Sequence, residues 1–536
     1  MTSWTDHLTV LPIVVPLVAG ILAILLGERR RNLVTGLGIV SVLVLVALSV
    51  ALVRIADGSE AGIVRVYRLG NWPAQFGIVL ALDRLSALMV LLTSLLGMAA
   101  LVFSIARWNR AGSHFQPLFQ FQLMGINGAF LTGDLFNLFV FFEVMLAASY
   151  GLALHGSGAA RVRAGLHYIV INLTASLLFL IGVSMIYGVS GTLNMADLAV
   201  RIPAVAPEDR ALAETGAAIL GIAFLIKAAM WPVGFWLPPT YAAASPPAAA
   251  VLSILSKVGI YAVLRLWLML FGDDAGASSG FGGAWLFIGG LLTLAFGSIA
   301  VLASQNMARV AGASVLVSSG TLLAAIGAGH VSATGGALFY AASAVPAIGA
   351  FFLLIELVER GREPGADILA VTREAFGTDE EEEREEEVGV AIPATAAVLG
   401  IGFIACALLL AGLPPLSGFL AKFAILSPLM SGADAISVGT WALVCAFILS
   451  GLATVIAMTR IGIDVFWAAP AASVPRVRVV EIGPVVFLIA LCTALTVRPA
   501  PVMAYMEATA RSLHAPRDYV RAIFPDARLP EPGAPR

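Results

Sequence analysis

Charge is scarce in this chain. Only 12% of its 536 residues are Asp, Glu, Lys or Arg, where soluble domains carry about 25%. The formal balance of -2 offers no basic surface for nucleic acid. No Walker A loop, Rossmann glycine fingerprint, Cys/His ligand set or haem motif occurs. The chain thus has no visible means of hydrolysing ATP or moving electrons by itself. No cofactor and no metal are expected, and the energy source should be an ion gradient or a partner. Cysteine is nearly missing. Cys406, Cys445 and Cys492 lie singly in apolar runs and are expected as small core residues. The first apolar run, 8–26, lacks a basic leader and a small-residue cleavage site, so it reads as a span rather than a removed signal.

What the chain has instead is apolar length: 60% of its residues are hydrophobic. Spanning strands alternate in runs of about ten, and an open sheet leaves edges that lipid cannot satisfy. Runs of twenty or more therefore predict an all-α polytopic membrane protein, seated in a lipid bilayer such as the inner (cell) membrane. About fourteen spans of roughly 20 residues are predicted. They lie near 8–27, 34–53, 84–106, 116–132, 135–154, 166–188, 215–236, 246–270, 282–303, 309–329, 334–357, 390–430, 437–460 and 480–498. The stretch 390–430 is too long for one straight helix and is expected to break at Pro414-Pro415.

Arginines set the orientation. Arg29–Arg31, Arg107 and Arg110, Arg161 and Arg163, Arg360 and Arg362, and Arg460, Arg476 and Arg478 follow alternate spans. They fall on one side, the cytoplasm by the positive-inside rule, and both termini then face outward. Asp273-Asp274 falls opposite. The acidic run 379–387, DEEEEREEE, reads as a solvated linker or as an antenna for cations. The stretch 505–536 suggests a surface helix near 506–524 and a loose tail.

The organising stretch is 121–150, FQLMGINGAFLTGDLFNLFVFFEVMLAASY, because it carries Glu143 among apolar residues. Counted from Asp134, a predicted N-cap, Glu143 lies about 13 Å into its helix. That is near the middle of a hydrocarbon layer ~30 Å thick, where a carboxylate is costly unless paired or used. Lys227, Lys257 and Lys422 are its candidate partners, each too deep to snorkel. A desolvated lysine gives up its proton readily, and a nearby carboxylate holds it. One carboxylate and three lysines on separate helices therefore form a candidate proton relay.

Two segments echo one another: KAAMWPVGFWLPP from Lys227 and LAGLPPLSGFLAKF from Leu410. Paired Pro/Gly-interrupted spans point to transport sites built on inverted repeats. His167 is placed to pass protons from the cytoplasm, or is a satisfied interfacial histidine, as is His155. His330 suits an exit at the outer end. Asp134 also fits ion uptake from the outer face. Asp83 and Arg84 are expected to form an interfacial anchor pair.

These motifs resemble the proton-pumping antiporter-like subunits shared by respiratory complex I and Mrp-type cation/proton antiporters. GDLFNLFVFFEVM, LIKAAMWPVGFWLPPTYAAASPPAAAVLSILSKVG and LAGLPPLSGFLAKF carry the likeness, which covers roughly 80–467. The phrasing of FQFQLMGINGAFLTGDLFNLFVFFEVMLAASYGL and GTLNMADLA is most similar to the D-type subunits of Mrp antiporters. The resemblance implies fourteen helices and two inverted five-helix repeats. The divisions are 1–110, 111–275 (spans 4–8), 276–470 (spans 9–13, with the acidic loop 363–389) and 471–536. It also implies a Glu143–Lys227 coupling pair, Lys257 as connecting lysine and Lys422 as terminal lysine. Function follows as proton translocation within a Na+/proton antiporter assembled with the A, B, C, E, F and G subunits. The alternative is the same module in a redox-driven complex. One departure stands out. The stretch ALFYAASAVPAIGAFF carries no ionisable side chain where relatives carry His or Lys, and Arg309 replaces a usual lysine. Water or the Ser343 hydroxyl would have to bridge Lys257 and Lys422.

Overall fold

The protein is described by a computed structural model covering residues 7–58, 64–74, 77–111, 114–360, 394–431, 436–466 and 477–525. The acidic run 379–387, Arg362 and Arg476 lie outside the described residues. The elements are α1 (Leu11–Leu26), α2 (Arg31–Asp57), β1 (Arg65–Arg68), β2 (Val79–Leu82), α3 (Arg84–Ser104), α4 (Phe115–Leu131) and α5 (Leu135–Leu154). Next come α6 (Ala159–Ser190), α7 (Met195–Arg201), α8 (Pro207–Lys227), α9 (Leu237–Ala243), α10 (Pro246–Leu252) and α11 (Leu255–Phe271). Then follow α12 (Gly283–Ala303), α13 (Met307–Gly327), α14 (Val331–Glu359), α15 (Ala394–Ala411) and α16 (Ser417–Met430). The described chain closes with α17 (Val438–Phe466), α18 (Val479–Val497), α19 (Pro499–His514) and α20 (Arg517–Ile523).

Eleven spans among the described residues are long and apolar enough to cross a membrane. Three further predicted spans fall on helices outside that measure. Here α1 and α4 are short, at 16 and 17 residues, and α8 carries Glu214 and Lys227 besides three charges in its first turn. Side-chain caps start several helices. Asp83 accepts the Ser86 N–H at 2.8 Å, and Asn306 accepts the Ala308 N–H at 2.8 Å, each satisfying a donor that the first turn leaves free.

The helix in 215–236 stops at Lys227, earlier than expected, and the chain turns through Ala229 (φ 57) before Trp231-Pro232. The span 246–270 is also interrupted, between Leu252 and Leu255. No proline marks that break, so periodicity passes over it. The break in 390–430 falls where expected, between α15 and α16.

Helices α10, α11 and α14 are buried throughout their apolar windows, so the core of the bundle runs along them. Helices α6, α12 and α17 lie at the periphery, presenting Leu166, Ile299 and Ile448 outward. Cys406 and Cys492 are core residues, but Cys445 is exposed on α17, contrary to expectation.

The basic loops gather at one end of the bundle. Arg107 pairs with Glu356 at 3.6 Å, Arg360 bridges Glu356 and Glu481, and Arg161 donates to the Ala243 carbonyl at 2.7 Å. At the other end Asp274 meets Arg517 at 3.0 Å. Asp83 and Arg84 do not pair with one another there. Asp83 takes Arg265 at 2.8 Å and Arg84 takes Asp57 at 3.2 Å. The two residues are adjacent in sequence, and a helix start points their side chains apart. The expected surface helix near 506–524 is instead two packed helices. It begins at Pro499 and buries Met506, Thr509, Ala510 and Leu513.

Candidate functional site

The N-terminal end of α5 is held by backbone pairing on both sides. The Gly133 N–H donates to Val79 O, and the Leu135 N–H donates to Leu193 O, both at 2.9 Å. Asp134 caps the helix as expected, accepting the Asn137 N–H at 2.9 Å. Burial pushes its carboxyl up, against backbone N–H groups that lower it. Nine residues on, about 13 Å along the axis, Glu143 is half-buried and accepts a hydrogen bond from the Ser176 hydroxyl of α6. That hydroxyl also lies 3.1 Å from the Asn172 carbonyl oxygen. It has one proton, so it serves one acceptor at a time.

Lys227 closes α8 and is 4% exposed. Its Nζ has no hydrogen-bond partner among the described residues and sits over the Phe142 ring, 5.2 Å from the centroid. Glu143 is within electrostatic reach of it, yet no ion pair joins them among the described residues. The break behind Lys227 is braced on both flanks. Trp236 Nε1 donates to the Ile226 carbonyl at 3.3 Å, and the Trp231 N–H donates to Thr293 Oγ1 at 2.9 Å. Trp236 in turn stacks on Tyr168, whose hydroxyl meets Ser149 Oγ at 2.6 Å.

Lys257 lies one turn past the break between α10 and α11. It is 2% exposed and donates to Ser256 Oγ at 3.3 Å. Two residues on, Gly259 brings α11 against the Lys227 break. A Cβ at Gly259 would lie 2.7 Å from Ala228 N and 3.0 Å from Lys227 C, so only glycine permits this approach. The structure thus brings Lys227 and Lys257 to adjoining segments. Beside Lys257 is a cavity of about 20 Å³, walled by Tyr261, Leu322, Ile326 and Ala341 of α11, α13 and α14. By size it accommodates about one water.

Lys422 sits on α16 and donates to the Ala411 carbonyl at 2.9 Å, an acceptor freed by the break. Gly412 (φ 71) makes the turn and leaves room for the side chain, since a Cβ there would be 2.9 Å from Lys422 Cε. Among the described residues Ser343 makes no hydrogen bond to a lysine. Its hydroxyl meets Ser417 Oγ at 2.8 Å, at the start of α16. His167 is exposed on α6, with Nδ1 2.9 Å from the Arg163 carbonyl. It stands about 13 Å along that helix from Ser176. His330 is exposed, immediately ahead of α14. His155 is buried, 2.9 Å from the Trp108 carbonyl.

Sequence reading misses Ser176, Gly259 and the buried Asp83–Arg265 pair with Tyr261, whose hydroxyl accepts from Arg265 Nε at 2.8 Å. One signal is available. The chain has three lysines among 31 basic residues, and all three are buried, so arginine supplies the remaining basic side chains. Among the described residues no cluster of His, Cys, Asp and Glu is arranged to hold a metal ion.

A family model described as "NADH:quinone oxidoreductase/Mrp antiporter, TM" matches residues 132–453. The chain is 61% identical over 531 residues to a probable K(+)/H(+) antiporter D-type subunit of Rhizobium meliloti, covering 98% of each. It is 33% identical to the Na(+)/H(+) antiporter D-type subunit of Alkalihalophilus pseudofirmus, covering 97% of this chain and 99% of that one. Among solved structures it is similar to a chain of the Mrp complex from Dietzia sp., with TM-score 0.82, 26% identity, and 97% and 100% of the two chains covered.

Proposed function

The chain belongs to the NADH:quinone oxidoreductase/Mrp antiporter transmembrane family, and from that premise we propose that it is the proton-translocating D-type subunit of a multi-subunit monovalent cation/proton antiporter. Glu143, Lys227, Lys257 and Lys422 form its relay. Protons move from the Glu143–Lys227 pair to Lys257 and then toward Lys422. The divisions 111–275 and 276–470 are the two inverted half-channels, each with a broken helix beside its lysine.

The observation that carries this reading is the Lys227 ammonium, buried with no hydrogen-bond partner among the described residues and within reach of Glu143. A buried charge in that state costs several kcal/mol, which a purely structural residue would not incur. A contact with Glu143 at 4 Å would return about 4 kcal/mol at an effective dielectric of 20. Release of Glu143 by Ser176 therefore switches Lys227 between holding and giving up its proton. The redox-driven alternative shares this module, but the relatives at 61% and 33% identity are both named as antiporter subunits.

The A, B, C, E, F and G subunits are the proposed partners. The cation is Na+ or K+, since the two relatives are named for different ions. The test is Glu143→Ala in the full complex, assayed in everted vesicles with a pH-sensitive dye and pulses of Na+ or K+. The expected result is an assembled complex with no cation-dependent proton movement. Full activity in an assembled variant overturns the reading.

A further inference from the structure

The arginines nearest α9 at the basic end of the bundle fall into two groups. Arg107, Arg161 and Arg360 all have intramolecular partners: Glu356, backbone carbonyls, and Glu356 with Glu481. The guanidinium groups of Arg163 and Arg309 have no hydrogen bond or ion pair among the described residues. Yet both line the same cleft, of about 1030 Å³, on the far side of α9. Arg163 stands near the start of α6 and Arg309 near the start of α13, and both helix starts border the cleft. His167 lies one turn below Arg163, on the same wall.

Below that basic rim the walls become apolar: Phe235, Trp236, Pro238 and Ala300. Phe235 is 56% exposed. The flanking helices present Leu166 and Ile299 outward at 60% and 67%, so exposed apolar side chains stand beside the cleft. Glu359 also lines it and would repel an anion brought next to it. A rim of two unpartnered guanidinium groups above an apolar slot fits a phosphate headgroup above acyl chains. Basic pockets between membrane helices at the cytoplasmic side take anionic lipids in this way, and guanidinium matches phosphate by bidentate hydrogen bonding.

We propose that the cleft between α6, α9 and α12–α13 is a binding site for an anionic phospholipid, its phosphate held by Arg163 and Arg309 and its acyl chains lying over Phe235 and Ala300. A resident lipid would also seal the flank of the Lys227–Trp236 break against water from the side. The site does not depend on the relay reading, because it requires only that the chain sits in a bilayer.

The experiment uses the whole purified complex, delipidated in detergent and then incubated with phosphatidylglycerol, phosphatidylcholine or inorganic phosphate. Retained lipid is counted by native mass spectrometry. Wild type should retain phosphatidylglycerol over phosphatidylcholine, and Arg163→Gln with Arg309→Gln should weaken retention about fivefold per arginine removed. Ala300→Trp fills the slot while leaving both arginines, and it should also expel the lipid. This second variant keeps the test open if the double arginine variant fails to assemble. Equal retention of both lipids, or unchanged retention in the variants, overturns the proposal. So does inorganic phosphate displacing phosphatidylglycerol at millimolar concentration, which would mark a free-anion site. A sulfhydryl probe at Phe235→Cys that reacts only after another subunit is stripped away would mark a subunit interface, and it too overturns the proposal.

Discussion

Gly259→Ala should slow proton movement without preventing assembly, through geometry alone. The added Cβ would lie 2.7 Å from Ala228 N, 2.8 Å from Phe224 O and 3.0 Å from Lys227 C. All three are backbone atoms at the end of α8, so no side-chain rotation relieves the overlap. Ordinary contact begins at 3.4 Å, so the two segments must separate by about 0.7 Å (3.4 minus 2.7). Overpacking of this kind costs roughly 1–3 kcal/mol. Lys227 and Lys257 ride on the two segments being separated. A displacement near 1 Å in a positioned reacting pair costs on the order of a hundredfold in rate. Allowing for partial relaxation, the vesicle rate should fall between about tenfold and a hundredfold. Gly36→Ala and Gly483→Ala are the controls, since nothing lies within 4 Å of a Cβ at either position. If Gly259→Ala assembles and transports at the wild-type rate, Lys227 and Lys257 are not coupled through this approach.

Ser343→Ala removes the hydrogen bond to the Ser417 hydroxyl and should cost about 1 kcal/mol in thermal stability, with transport nearly unchanged. A large transport loss in a stable complex would make the hydroxyl a relay member. Asp83→Asn leaves Arg265 buried without its carboxylate and should cost about 3–5 kcal/mol, read as loss of assembled complex. Arg265→Gln added to it should recover part of the yield, and no recovery would refute a purely structural pair. Asp134→Asn should be nearly neutral and Asp134→Ala should cost about 1 kcal/mol, if the residue only caps α5. Loss of transport in Asp134→Asn would make it an ion-uptake group.

The residues proposed for the relay stand out in the sequence because a charge in a twenty-residue apolar run is conspicuous by cost alone. The breaks at Lys227 and at Pro414-Pro415 are legible through proline and glycine. The interruption between α10 and α11 is not, because Ser253 and Ile254 carry no breaker signal. Ser176 and Gly259 are hidden for a different reason. Their roles rest on which helices meet, and α6 and α11 look like any other apolar helix until they are packed. Asp83 and Arg265 lie 182 residues apart, so local spacing matches Asp83 to Arg84 and passes over Arg265. His167 reads as a relay candidate from its position near a helix start, but it faces the α6–α9 cleft rather than Glu143.

The most direct test of the central claim is a double-mutant cycle on transport rate, using Glu143→Gln, Lys227→Ala and the pair together in the assembled complex. If the carboxylate and the ammonium exchange protons as one unit, each single change should abolish most of the rate and the double variant should be no slower than the worse single one. Losses that simply multiply would mean that the two groups act independently, and the relay would not begin at this pair.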